Sequence, residues 1–528
     1  MTAYIDASTL KRWLSDPDEI ALLDVREPGQ FGEQHLFFAV PLAYSRFEIG
    51  LPRLVPNKDV NIVLCDGGDG IAERAAERAE SIGYENVNIL EGGVGAWEAD
   101  GFTLYEGVNV PSKTFGELVE HAFDTPRVSA TDVQAMIDAD ENFVIVDGRP
   151  FAEYQRMNIP GGICCPNGEL ALRIADIAPD PQTRIVVNCA GRTRSIIGAQ
   201  TLIDMGVPNE VVALENGTQG WFLAGLELEN DATRRHSASA DKADMDALRA
   251  RADALAAARG APFVSADDVV AWCGDEARTT YVFDIRTIEE FSDNGVAGTI
   301  HAPGGQLVQA TDQWVGVRGA RIVLLDHEGI RAKVIASWLR QLGHEAYVLE
   351  GGIGGLEGVT LPPLLQPRIA PSLNAIAPEA LANALEREAT QVIDVRSSMD
   401  YRDAHVDGAV WSIRPNLPLA STDHSKTVTL VADDLLVAEL AAAEISAGGA
   451  SLAGLLQGGP EDWRAAGLGV VSTPDDPADA DCIDFLFFTA GRHKGDVEEA
   501  RKYLAWETAL IGRLDDQERG AFKITPAP

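Results

Sequence analysis

The chain alternates short apolar runs with helix-compatible stretches, and the alternation repeats four times. In each repeat an apolar run ends on Asp-x-Arg: Leu22-Leu23-Asp24-Val25-Arg26, Ile145-Val146-Asp147-Gly148-Arg149, Val282-Phe283-Asp284-Ile285-Arg286 and Val392-Ile393-Asp394-Val395-Arg396. A run with no polar face reads as a strand buried on both sides. A helix-start signal precedes each one: Asp6, Ser129 and Ser265 are N-cap candidates, and Pro378 suits a first helical position. A second apolar strand follows in each repeat, at Asn61-Ile-Val-Leu64, Arg184-Ile-Val-Val-Asn188, Arg321-Ile-Val-Leu-Leu325 and Thr427-Val-Thr-Leu-Val431. After a further helix-compatible stretch the repeats close on Leu90-Glu-Gly-Gly-Val-Gly-Ala-Trp97, Leu214-Glu-Asn-Gly-Thr-Gln-Gly-Trp221, Leu349-Glu-Gly-Gly-Ile-Gly-Gly-Leu356 and Leu456-Gln-Gly-Gly-Pro-Glu-Asp-Trp463. The glycines fit a tight strand-to-helix turn, and the Trp (Leu356 in the third repeat) fits an anchor for the last helix.

Strands alternating with helices predict α/β units, each a mostly parallel, doubly wound sheet covered on both faces. The units span 1–106, 122–230, 260–362 and 372–474. Residues 231–259, rich in Ala, Asp and Arg, read as a helical linker outside any core. Past Pro474-Asp-Asp-Pro477 the repeat stops, and 475–528 reads as a C-terminal helical tail. Val497, Ala500, Leu504 and Leu510 lie near helical spacing there, which predicts packing onto the repeats, with a homodimer contact as the alternative.

With 528 residues the chain exceeds one core, and 81 acidic against 43 basic residues leave a formal net charge of −38. Such a surface repels nucleic acid and anionic membranes, so neither is expected as a partner. The chain has no long apolar run and no basic-then-apolar leader at its start. Six cysteines without a spaced framework argue against an oxidising compartment, and a cytoplasmic location is expected. No spacing among these cysteines and the nine histidines resembles a metal site, and no cofactor is expected.

The candidate chemistry sits at Asn188-Cys189-Ala-Gly191-Arg192-Thr193-Arg194-Ser195. A cysteine at the end of a strand, followed by a loop that feeds a helix, meets N–H groups that favour the thiolate. Arg192 and Arg194 add positive charge in an acidic chain. Both are expected to lower the Cys189 pKa and to bind an anionic substrate, and the N–H groups of Gly191, Thr193 and Ser195 are expected to cradle it. Arg173 is a further candidate from the preceding loop, against a salt-bridged alternative. Aligning the second strands puts Cys65, Cys189, Asp326 and Ala432 at one position, so units three and four lack a nucleophile. Cys65 is a candidate second site, but Asp66 and Asp69 in its loop raise a thiol pKa and repel anions. The Asp326-His-Glu-Gly-Ile-Arg331 loop reads as decayed. Adjacent Cys164 and Cys165 read as packing, with a resolving thiol as the alternative; Cys273 and Cys482 read as structural.

The sequence of strand-Asp-x-Arg, strand-Cys-loop-helix and Leu-x-Gly-Gly-x-x-x-Trp resembles the rhodanese homology domain, and the whole chain resembles a multi-domain thiosulfate sulfurtransferase. The resemblance implies a Cys189 that accepts sulfane sulfur from thiosulfate or another donor as a persulfide and passes it to cyanide or a thiol. Asn158-Ile-Pro-Gly-Gly162 and His405-Val-Asp-Gly-Ala409 occupy a turn that reads as structural. Dual-specificity phosphatases and some arsenate reductases share this fold, but with a Cys-x5-Arg loop. Here the arginines lie at the third and fifth positions after Cys189 and Ser195 takes the sixth, which disfavours phosphoryl transfer. A non-enzymatic persulfide carrier or scaffold is the remaining alternative.

Overall fold

The computed structural model describes residues 3–488 and 490–525. Each repeat folds around its own five-stranded parallel sheet, and the four sheets share one strand order. In the second unit that order, edge to edge, is Arg127–Val128, Val211–Leu214, Arg184–Asn188, Phe143–Asp147 and Ile163–Cys164. The expected α/β class is therefore present four times over, with a helical region at the C-terminal end. The fourth unit adds an antiparallel pair, His405–Val406 against Val470–Val471.

The local signals act as their chemistry requires. Asp6, Ser129 and Ser265 cap their helices by accepting from the N–H groups of Thr9, Asp132 and Asp268, and Pro378 opens its helix. Trp97, Trp221 and Trp463 are buried and donate to the carbonyls of Thr103, Glu227 and Gln457. The Asp-x-Arg signature is a pin. In all four units the Arg Nε lies 2.9–3.0 Å from Asp Oδ1 two residues earlier, and both residues are buried. The same guanidinium then ties down the following loop, on the carbonyls of Gln34, Met157 and Ala404 and on the Asn294 side chain. A buried ion pair with its remaining donors satisfied is worth keeping mainly because losing one partner strands the other.

The units dock closely. Tyr281 of unit three donates to the Leu54 carbonyl of unit one at 2.5 Å. Arg414 of unit four grips Glu48 of unit one at 2.5 and 2.7 Å, and Tyr44 reaches Glu444 at 2.6 Å. Arg331, in the loop read as decayed, joins Glu169 of unit two at 2.8 Å to Glu290 and Glu328 of its own unit. Two segments depart from the sequence reading. The linker forms the expected helix, Met245–Ala258, yet Leu248, Ala252, Leu255 and Ala256 join the large core shared by the first three units. The stretch between units one and two forms a further helix, Val110–Phe123, with Phe115 and Val119 in that same core.

The C-terminal tail is a strap. Gly29 donates to the Ile483 carbonyl, Tyr105 to the Arg513 carbonyl, and the Lys523 N–H to the Gln341 carbonyl, so both ends are fixed on units one and three. Between them the helix Val497–Ala509 crosses unit two, with Ala500, Tyr503, Trp506 and Glu507 buried. Among the described residues no helix is long and apolar enough to cross a membrane.

Replacing one pinning arginine tests the role of the signature. Arg286→Ala, far in sequence from Cys189, is expected to destabilise the chain by about 3–5 kcal/mol by leaving Asp284 buried and unpaired. Urea unfolding monitored by tryptophan fluorescence reads this as an earlier transition.

Candidate active site

Cys189 is the first residue beyond the strand Arg184–Asn188, whose last residue pairs with Asp147 of the pinned strand. Its carbonyl accepts from the Thr218 N–H at 2.8 Å, and a Cβ on Gly217 would lie 2.2 Å from that oxygen, which is why the closing turn needs glycine there. Four residues after Cys189 the helix Thr193–Asp204 begins. The Cys189 thiol donates to the Ser195 hydroxyl at 3.6 Å, and Ser195 donates in turn to the Arg192 carbonyl at 2.8 Å. Cys189 is only 2% exposed.

The same register moves Cys65. It is the last residue of its strand, opposite Asp24, so its counterpart in unit two is Asn188 and the residue that corresponds to Cys189 is Asp66. The closing turn confirms the offset: Val94 donates to the Asp66 carbonyl, as Thr218 does to that of Cys189 and Ile353 to that of Asp326. The alignment of Cys65 with Cys189 is therefore corrected by one residue. A one-residue step along a strand sends the side chain to the opposite face, and Cys65 is fully buried in a core beside Leu22 and Val63. Burial pushes its thiol well up, with Asp24 adding to the effect.

What occupies the position in the other units is informative. Asp66 accepts from the N–H groups of Gly68, Gly70 and Ala72 at 2.8, 3.2 and 3.0 Å. Asp326 accepts from those of Gly329, Ile330 and Ala332 at 3.0, 2.9 and 3.3 Å. In both units a carboxylate fills a ring of loop N–H groups. In unit two the position is Cys189, and the Ser195 N–H, counterpart of those of Ala72 and Ala332, bears on its sulfur. In unit four the position is Ala432, and the nearby Asp434 caps the helix through Leu436.

The two loop arginines are held differently. Arg192 is buried and bound by Glu117 at 2.6 and 3.0 Å, by Glu120, and by Asn216 at 3.2 Å. It fastens the loop to the helix Val110–Phe123. Arg194 pairs with Glu153 through two contacts of 2.8 Å and is the main positive charge felt by Cys189. Arg173 is not in the site: it pairs with Glu169 at 3.2 Å and donates to the Ala238 carbonyl at 2.6 Å. Cys164 donates to the Arg149 carbonyl, Cys165 lies in the unit-two core, and all six cysteines are unpaired. Among the described residues no cluster of His, Cys, Asp and Glu suits a metal ion.

The strap supplies neighbours that no local pattern announced. The Thr193 hydroxyl donates to Glu507 at 2.9 Å, and a Cβ on Gly191 would lie 2.9 Å from both Glu507 Oε2 and Tyr503 Cε1. Lys113 lies over the rings of Tyr503 and Trp506, and burial pulls its ammonium down to about 7 while Glu507 holds it up. These contacts reverse one expectation. Burial raises the Cys189 pKa above its ordinary value, Glu507 adds to the rise, and Arg194 and Ser195 oppose it without overcoming it.

The rhodanese-like domain model matches residues 6–100, 129–224, 265–357 and 377–466. The chain belongs to the rhodanese-like family. A crystal structure of a thiosulfate sulfurtransferase from Pseudomonas aeruginosa superimposes with a TM-score of 0.89 at 40% identity, over 99% of this chain and all of that one. The 3-mercaptopyruvate sulfurtransferase of Escherichia coli K12 is 27% identical over 264 residues, covering 39% of this chain and 91% of that enzyme. A sulfurtransferase of Allochromatium vinosum is 26% identical over 104 residues, 20% of this chain and 95% of that protein. By homology this rhodanese-like chain is a member of a sulfurtransferase family.

Burial of the thiol predicts slow alkylation in the resting protein. The Cys189-dependent iodoacetamide rate, taken as wild type minus Cys189→Ser, should rise with a midpoint above the ordinary thiol value of about 8.5. A midpoint below 8 would mean that charge, not burial, governs the resting thiol.

Proposed function

We propose that the chain transfers the sulfane sulfur of thiosulfate to cyanide or a thiol through a persulfide on Cys189, by double displacement. The observation that carries this reading is the ring of N–H groups in the unit-one and unit-three loops, each closed on a carboxylate. A loop built to hold negative charge, with a thiol at the same position in unit two, suits an anionic persulfide. The full-length likeness to a protein named thiosulfate sulfurtransferase supports the choice of donor.

The Cys189 sulfur attacks the outer sulfur of thiosulfate, the sulfur–sulfur bond breaks, and its electron pair leaves with sulfite, which takes the thiol proton. The product is Cys189–S–S−, held by the loop N–H groups of Gly191, Thr193 and Ser195 and by the charge of Arg194. The acceptor then attacks that outer sulfur and Cys189 is released. Arg194 serves the anionic end of the donor, and Arg192, bound by two glutamates, keeps the loop in shape. Units one, three and four are scaffold. The strap favours an enzyme for small molecules over a relay to a protein partner, because a protein acceptor needs an open thiol and Cys189 is 2% exposed. Six unpaired cysteines suit a reducing compartment, which we read as the cytoplasm.

Cys189→Ser should abolish thiosulfate:cyanide sulfurtransferase activity, while Cys65→Ser, a core change in unit one, should keep most of it; the reverse pattern would sink the assignment. Arg194→Ala should cost on the order of 1.5–3 kcal/mol in kcat/KM for thiosulfate, the value of a charge-assisted contact. It should cost much less for an uncharged persulfide donor, whereas Arg192→Ala should depress both donors alike. Paired kcat/KM ratios decide between a substrate-binding and a structural arginine.

A further inference from the structure

Glu507 stands out among the buried polar groups. It is 1% exposed, Thr193 fixes its Oε1 at 2.9 Å, and its Oε2 has no hydrogen-bond partner. A buried carboxylate oxygen left without a donor costs several kcal/mol unless something fills the vacancy in use. That oxygen abuts Gly191, two residues from Cys189, and Glu507 acts electrostatically on Cys189 itself. The residue comes from the strap and not from a repeat, so the fold of unit two does not require it.

We propose that Glu507 is a catalytic residue of the Cys189 site, a general base that accepts the proton of a small thiol acceptor. The inference rests on the persulfide reading above. When the strap and the loop part enough to admit one small molecule, the thiol R–SH donates to Oε2 and gives up its proton. The resulting thiolate attacks the outer sulfur of Cys189–S–S−, and the Sγ–S bond breaks with its electron pair on Cys189. Glu507 returns the proton to Cys189. The products are R–S–S− and the neutral thiol that the closed site favours, and no oxidant or reductant enters. A thiol that is mostly protonated at neutral pH needs such a base, whereas an acceptor already ionised does not. Of the charged groups around the carboxylate, on the adjoining helix and the loop, Lys113 and Arg192 attract it and Glu117 repels it.

The test isolates the second half-reaction in the full-length chain. The persulfide is formed with thiosulfate, the protein is desalted, and discharge by glutathione or by sulfite at pH 8 is followed by intact mass. Glu507→Gln should lower the ratio of glutathione to sulfite discharge rates at least tenfold, because sulfite needs no deprotonation and no longer meets a like charge. Glu507→Asp should recover part of the ratio, and Thr193→Val, which frees the carboxylate but keeps it, should lower the ratio less than Glu507→Gln. A Glu507→Gln ratio within threefold of wild type, including a parallel fall of both rates, overturns the proposal. Failure of the persulfide reading looks different: wild-type protein would gain no sulfur at Cys189 in the first step.

Discussion

A turn whose backbone N–H groups converge on one point needs an acceptor at that point. Each unpaired donor buried there would cost about 1–3 kcal/mol. Units one and three meet this demand with an aspartate at the centre, and in unit two that position is Cys189, whose thiol donates to the Ser195 hydroxyl. The rest of each unit serves the turn. The parallel sheet sets where the strand ends, the Asp–Arg pin fixes the neighbouring loop, and the glycine of the closing turn lets the backbone approach within contact distance. In units one and three the carboxylate satisfies the loop, and neither unit carries a thiol at that position. In unit two the position carries a thiol, which on our proposal gains and loses another sulfur.

The second constraint is burial. A lone rhodanese-like unit would present its loop at the rim of the sheet, open to solvent. Here the helix Val110–Phe123 binds Arg192 from one side and the strap lies over Gly191 and Thr193 from another. This enclosure pushes the resting Cys189 pKa above its ordinary value. Units one and three hold the two ends of the strap.

Much of the fold was legible in the sequence because the repeat is written in short-range signals. Caps at Asp6, Ser129 and Ser265, the Asp-x-Arg strands and the Trp anchors each act within one element, and they recur, so each unit checks the others. Cys189 and its loop were legible for the same reason. What escaped was long-range. Glu117, Glu153 and Glu507 are ordinary acids in their local context, and only packing brings them to the loop. Local charge alone predicts a low Cys189 pKa, and burial beneath the strap pushes it the other way. Cys65 was misplaced because Leu64 and Cys65 are both compatible with a strand end, and only the pairing of Cys65 with Asp24 fixes the register.

The central claim is that sulfur is carried by one residue, Cys189, in a chain with six unpaired cysteines. Intact mass of the wild-type protein after thiosulfate treatment and desalting, followed by peptide mapping, tests it most directly. The account predicts a gain of one sulfur atom, mapped to the peptide containing Cys189 and absent from all others. Sulfur on Cys65, Cys164 or Cys165, or none on any peptide, would contradict it.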